Sequence, residues 1–225
     1  MSFLYQIAPN LEPLGAELVK CIGQTLQMLF VSGIISFILG LLLGVVLIVT
    51  KKDGIMRQVA VYNFFDKAID VIRSIPFIIL MILLIPVSRA IMGTGTGVPG
   101  AYIALIAGTV PFFARQIESV LSDVDYGLVE ASAAMGFSPI EIIFSVYLKE
   151  SIPGITRVTM ITMVSLIGIT AMAGAIGAGG LGDFAIRYGH QMGYRDMIWV
   201  TVIIILVIIS IIQGIGNLII RRTTH

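Results

Sequence analysis

The sequence predicts an all-α integral membrane protein, five transmembrane helices with a polar two-helix segment between the third and the fourth. Three observations lead there. The 225-residue chain is 57% hydrophobic and 12% charged, and its mean hydropathy of +1.02 lies outside the range of soluble globular domains. Its apolar residues gather into runs that approach or reach the roughly 20 residues a helix needs to cross a hydrocarbon core. Nine of its 14 basic and 13 acidic residues fall in one interruption, 115–157. The spans must be helical because lipid offers the backbone no hydrogen-bond partners.

The first span, 28–49, and the fifth, 197–220, meet the length requirement outright. The third, 97–115, carries Pro111, and the fourth, 158–177, runs into a glycine cluster. The second has an uncharged centre of only 74–88, so it is drawn as 72–91, with Arg73 and Arg89 snorkelling at its two faces. Residues 55–73 mix charges with Val, Phe and Ile at near-helical spacing and read as an amphipathic extension of that span, or as a plain solvated helix end. Length suits a single transmembrane domain over 1–225. The N-terminus lacks a positively charged n-region, so the chain is expected to keep it.

Lysine and arginine set the expected orientation. With the C-terminus inside, Lys51, Lys52, Arg57, Lys67, Arg73, Arg115, Lys149, Arg157, Arg221 and Arg222 are cytoplasmic. Only Lys20, Arg89, Arg187 and Arg195 are then external. The interruption, drawn as 116–157, therefore faces the cytoplasm.

Composition also removes several functions. A net charge of +1 gives no reason to expect nucleic acid. Cys21 is the one cysteine, and His190 and His225 are isolated, so neither a disulfide nor a metal site is expected. The cores of the first, third, fourth and fifth spans hold no charged residue, which argues against a proton relay, an ion-coupled carrier, a voltage sensor or a membrane-embedded enzyme. No catalytic residue and no cofactor are expected. Residues 177–182 (GAGGLG) match a dinucleotide fingerprint in letters only, because a membrane helix precedes them where a strand is required. No Walker-type phosphate loop occurs, so energy must come from another subunit. Ser32, Ser36, Gly40 and Gly44, and likewise Ala171, Ala175 and Gly179, form small-residue stripes suited to close helix packing.

Within 116–157 the local chemistry is explicit. Asp125 can cap a helix running through Glu130, Ala131, Ser132 and Met135, and Gly136 suits the left-handed residue that ends it. Ser138, Pro139 and Glu141 then form a capping box with proline in the first turn, opening a second helix that reaches about Lys149 and stops near Pro153-Gly154. Two short helices thus meet at a glycine elbow, fit either to enter a groove on a soluble protein or to lie on the bilayer.

Glu130-Ala131-Ser132, Gly136 and Val146-Tyr147-Leu148 resemble the EAA motif of bacterial ABC-importer permeases, with Ser132 in place of the second alanine and Lys149 where a proline is usual. The stretches 72–80 (IRSIPFIIL), 111–115 (PFFAR) and 171–182 (AMAGAIGAGGLG) narrow the resemblance to permeases of methionine ABC importers. That resemblance implies a type I importer permease fold in the bacterial cytoplasmic (inner) membrane and a homodimer of this chain. It implies two copies of a cytoplasmic ABC ATPase and an external methionine-binding lipoprotein. The ATPase-coupling residues would be Glu130, Ala131, Ser132, Met135, Gly136, Ser138 and Pro139, and Met172 would gate the pathway. The expected cargo is L-methionine, with D-methionine as a further candidate; the alternatives are another amino acid, a quaternary amine, or a scaffold subunit with no flux.

Overall fold

The computed structural model describes residues 9–223 and is all-α, with no strand among the described residues. Helix α1 spans Leu11–Thr50. At 40 residues it is about 60 Å long, twice a hydrocarbon core; the expected 28–49 span is its second half. Helix α2 (Val59–Ser74) and α3 (Phe77–Met92) follow, then α4 (Gly97–Ser122). The short helices α5 (Tyr126–Ala134) and α6 (Pro139–Ile142) come next, and α6 runs on as a π-helical stretch, Ile143–Leu148. Helix α7 (Ile152–Ala173) widens into a π-turn over Gly174–Ala178. Helix α8 (Gly180–Phe184) continues as π-helix through Ala185–Gln191, and α9 spans Arg195–Thr223.

Four of these helices are long and apolar enough to cross a membrane, and the α2–α3 pair makes a fifth if it is taken as one bent span. The bend is 108°, and its cause is local. Pro76 lacks an amide hydrogen and pushes Ile75 out of the helical region, to φ −85° and ψ 122°. Residues 72–74, drawn into the second span from sequence, therefore end α2, and the apolar run starts afresh at Phe77. The amphipathic stretch is a separate helix with its own direction. Pro153 also plays a different part from the one expected of it. The break falls at Ser151, and Pro153 sits in the first turn of α7, where a missing amide donor does no harm.

The described chain divides into two compact units, and the long helices pass from one to the other. One unit gathers residues up to Ile34, Pro76–Ala107 and Met163–Gln213. Its core joins Met28, Leu29, Met81, Ala101, Leu105, Leu166 and Ala173, with a second cluster around Cys21, Leu181, Phe184 and Met197. The other unit gathers Ile35–Ile75, Gly108–Thr162 and the chain from Gly214 onward. Its core joins Ile48, Phe113, Ile117 and Leu121 to Val129, Ile142, Val146 and Tyr147 of the α5–α6 segment. Two stripe glycines account for the close approach of α1 to α4 inside this unit. A Cβ on Gly40 would lie 2.7 Å from Phe113 Cδ1, and one on Gly44 would lie 3.0 Å from the carbonyl oxygen of Ala114.

Candidate functional site

The elbow between α5 and α6 is built by backbone chemistry. At its start the Asp125 carboxylate accepts a hydrogen bond from the Gly127 amide at 2.8 Å, satisfying one of the free donors of the first turn. At its end the Gly136 amide donates to the Ala133 carbonyl at 3.0 Å and the Phe137 amide to the Ser132 carbonyl at 3.1 Å. Those two bonds make a Schellman motif, which demands a left-handed residue at position 136. Gly136 supplies it, with φ +86°. Two residues on, Ser138 and Glu141 close the expected box: the Ser138 amide and hydroxyl both donate to Glu141 Oε2 at 2.7 Å, and Ser138 Oγ accepts from the Glu141 amide at 3.4 Å. Hydrogen bonds from the Ser138 hydroxyl, then from its backbone amide, hold the Glu141 carboxyl below the usual carboxylate range.

The two faces of this elbow differ sharply. Val129, Ser132, Ile142, Val146 and Tyr147 point into the core, and the Ser132 hydroxyl donates to the Leu128 carbonyl at 2.8 Å. Glu130, Ala131, Gly136, Ser138 and Pro139 are exposed, together with Met135 (68%), Ile140 (64%) and Phe144 (66%). Anchoring on one side and exposed apolar side chains on the other are what a docking surface requires. Of the residues singled out from sequence, six of the seven on the elbow lie on this outer face; Ser132 is on the inner one. Met172 belongs to the other unit, on α7, and is 46% exposed.

Beyond Met172 the glycine cluster folds the chain back on itself. Ile176 and Gly177 leave helical geometry, and Gly177, Gly179 and Gly180 all have φ between +82° and +90°. The freed amides of α8 find side chains on α1: Gly180 donates to Gln24 Oε1 at 2.9 Å and Leu181 to Thr25 Oγ1 at 2.8 Å. Past the reversal, Arg187 donates to Asp183 at 2.8 Å and also reaches Glu17 at 3.3 Å, with Tyr188 beneath its guanidinium. The Asp183 hydrogen bond raises the Arg187 pKa further above its ordinary value. Asp183, Arg187 and Tyr188 thus come together, whereas His190 stands exposed.

A third feature was missed from sequence. Arg115 donates to Glu118 at 2.7 Å, to Asp66 at 2.7 Å and to Asp70 at 2.9 Å, and Tyr62 donates to Glu118 at 3.2 Å. This network ties α2 to α4. The i, i+4 spacing of Asp66 and Asp70 was visible in the sequence, but their partner lies 45 to 49 residues away.

Comparison with known proteins places this geometry. Residues 36–225 match the family model of the binding-protein-dependent transport system inner membrane component. The chain belongs to that family. It is 42% identical over 208 residues, 92% of each chain, to the probable D-methionine transport system permease protein MetI of Vibrio cholerae. It is also 42% identical over 144 residues, 64% of this chain and 66% of the relative, to the D-methionine transport system permease protein MetI of Escherichia coli K12. Its fold is similar to a solved structure of inward-facing conformations of the MetNI methionine ABC transporter, at TM-score 0.91 and 39% identity, covering 95% of this chain and 99% of that one. An amino acid ABC transporter solved with histidines shares the fold alone, at TM-score 0.77 and 18% identity, covering 96% of this chain and 98% of that one. As a binding-protein-dependent inner membrane component the chain has the type I ABC-importer permease fold and lies in the bacterial inner membrane. Its MetI relatives are transport system permease proteins.

Proposed function

We propose that the chain is the permease subunit of an ATP-driven importer that takes methionine from an external binding protein and releases it in the cytoplasm. The observation that carries this reading is the elbow, packed into the core on one side and apolar on its exposed side. The MetI relatives are D-methionine transport system permease proteins, which supports methionine as the cargo. Another amino acid or a quaternary amine is the alternative cargo. In this reading two copies of the chain form the pathway, and each elbow sits on one of two ATPase subunits. Segment 116–157 is cytoplasmic. Glu130, Ala131, Met135, Gly136, Ser138 and Pro139 meet the ATPase, and Ser132 fixes the first helix to the bundle beneath them.

Nucleotide binding draws the ATPases together, the elbows follow, and the bundle opens outward; hydrolysis returns it. Such coupling needs nucleotide to bind the two states with a free-energy difference of about 1–3 kcal/mol or more. Met172 closes the pathway between strokes, since an unbranched thioether side chain can seal a gap and still swing aside. The bundle itself supplies no ionisable group at mid-span for coupling to protons or ions.

The test is labelled-methionine uptake into vesicles holding the chain with its ATPase, given the binding protein outside the substrate-facing side. ATP-dependent accumulation that unlabelled L-methionine suppresses supports the proposal, and competition by D-methionine settles stereochemical preference. Accumulation of a different solute, with methionine inert, overturns the cargo; ATP hydrolysis with no flux of any solute overturns the transport role.

A further inference from the structure

A cleft of about 420 Å³ opens between the start of α5 and the start of α7. It is in the volume range of small-molecule sites. Asp123, Asp125 and Glu150 line it, facing a single cation, Arg157. One Asp125 oxygen is engaged by the Gly127 amide, but among the described residues neither Glu150 nor Arg157 takes part in an ion pair. Ser151 lines the same cleft; it is 4% exposed, and its buried hydroxyl has no hydrogen-bond partner among the described residues. A buried hydroxyl without a partner is costly unless something completes it.

The chemistry selects a class of ligand. Carboxylates in excess over cations favour a ligand with positive charge. Among the described residues no group of acidic side chains is arranged to hold a metal ion, so an organic ammonium fits better than an inorganic cation. The Arg157 guanidinium suits a carboxylate, which it can grip through two donors. Apolar walls from Val120, Leu128 and Val158 suit a short aliphatic chain. Ammonium, carboxylate and apolar side chain on one small molecule describe a free amino acid. We infer that this cleft is a low-affinity amino-acid site on the permease, separate from Met172, where cargo rests on leaving. The inference rests on the transport reading above.

The experiment uses the full chain with its ATPase in membranes, in a Cys21→Ala background so that Leu128→Cys carries the one thiol. Leu128 lines the cleft and is 46% exposed, so a soluble maleimide reaches that position. L-Methionine should slow labelling, by about threefold at a free concentration twice its dissociation constant. The amine lacking the carboxyl group and the acid lacking the amino group should protect less, and adding Ser151→Val or Glu150→Gln should abolish protection. Labelling indifferent to millimolar methionine, in membranes that still accumulate methionine on ATP, overturns the site and leaves the transport reading intact. Shielding by the ATPase alone, with no effect of methionine, also overturns it and assigns the cleft to that subunit. Absence of uptake in the unsubstituted chain is the separate failure of the transport reading.

Discussion

The Phe137 amide donates to the Ser132 carbonyl at 3.1 Å, and through that bond the exposed tip of the elbow is tied to the buried side of α5. The bond exists only while Gly136 holds φ +86°. Space is not the constraint, because a Cβ at Gly136 would meet nothing within 4 Å. Conformation is. Gly136→Ala should cost about 1–2 kcal/mol for the left-handed backbone and slow uptake, while Gly136→Pro, locked near φ −65°, should abolish it. Both variants should insert normally, as membrane fractionation would report. Uptake at the parental rate by Gly136→Pro would remove the elbow from the coupling path.

The capping box gives the elbow a pH dependence. Glu141 has its pKa lowered in the folded chain by the Ser138 hydroxyl and amide. A depressed carboxylate contributes stability that is fully present above its unfolded pKa and is lost as pH falls through the folded value. Protection of the α6 amides, measured against their intrinsic exchange rates, should therefore be constant near neutrality and fall in the acid range. Glu141→Gln should remove that acid-dependent part. An unchanged acid profile in Glu141→Gln would show that the box does not hold α6.

Arg115 is held by Asp66, Asp70 and Glu118, and its side chain is 27% exposed. Replacing it by methionine keeps much of the stem but leaves Glu118, itself buried, without its cation. A charged hydrogen bond lost in such a setting costs roughly 1.5–3 kcal/mol. The thermal midpoint of the purified chain should fall, and exchange in α2 should rise before exchange in α4. A midpoint unchanged by Arg115→Met would mean that α2 is held by apolar packing alone.

The glycine reversal after Met172 predicts a graded set. A Cβ on Gly182 would collide with the Ala171 carbonyl and backbone, and one on Gly174 would lie 2.5 Å from the Asp183 amide nitrogen. At Gly168 nothing lies within 4 Å. Gly182→Ala and Gly174→Ala should each destabilise by about 1–3 kcal/mol, whereas Gly168→Ala should be neutral or slightly stabilising in its helix. Equal midpoints for all three would contradict the close packing of α8 on α7.

Much of this architecture was legible because its signals are local. Asp125, Gly136, Ser138, Pro139 and Glu141 each act within a few residues, so caps and elbow could be read from spacing. The apolar runs 28–49 of α1 and 197–220 of α9 are set by lipid and needed no knowledge of neighbours. What could not be read depends on distance in the chain. Arg115 meets Asp66 across 49 residues, and Gln24 caps α8 across 156; nothing in either neighbourhood names the other. The bend at Pro76 lay between these cases. Proline announced a break, but the length rule for a span favoured joining the two sides, and the joined span hid a helix of separate direction.

Met135, 68% exposed on the elbow, offers the most direct test of the central claim. A photo-crosslinking residue placed there, in membranes that contain the ATPase, should join the two proteins in high yield and should be reachable only by reagents applied from the cytoplasmic side. Cross-links to lipid alone, or labelling by an impermeant reagent added outside intact cells, would contradict the account.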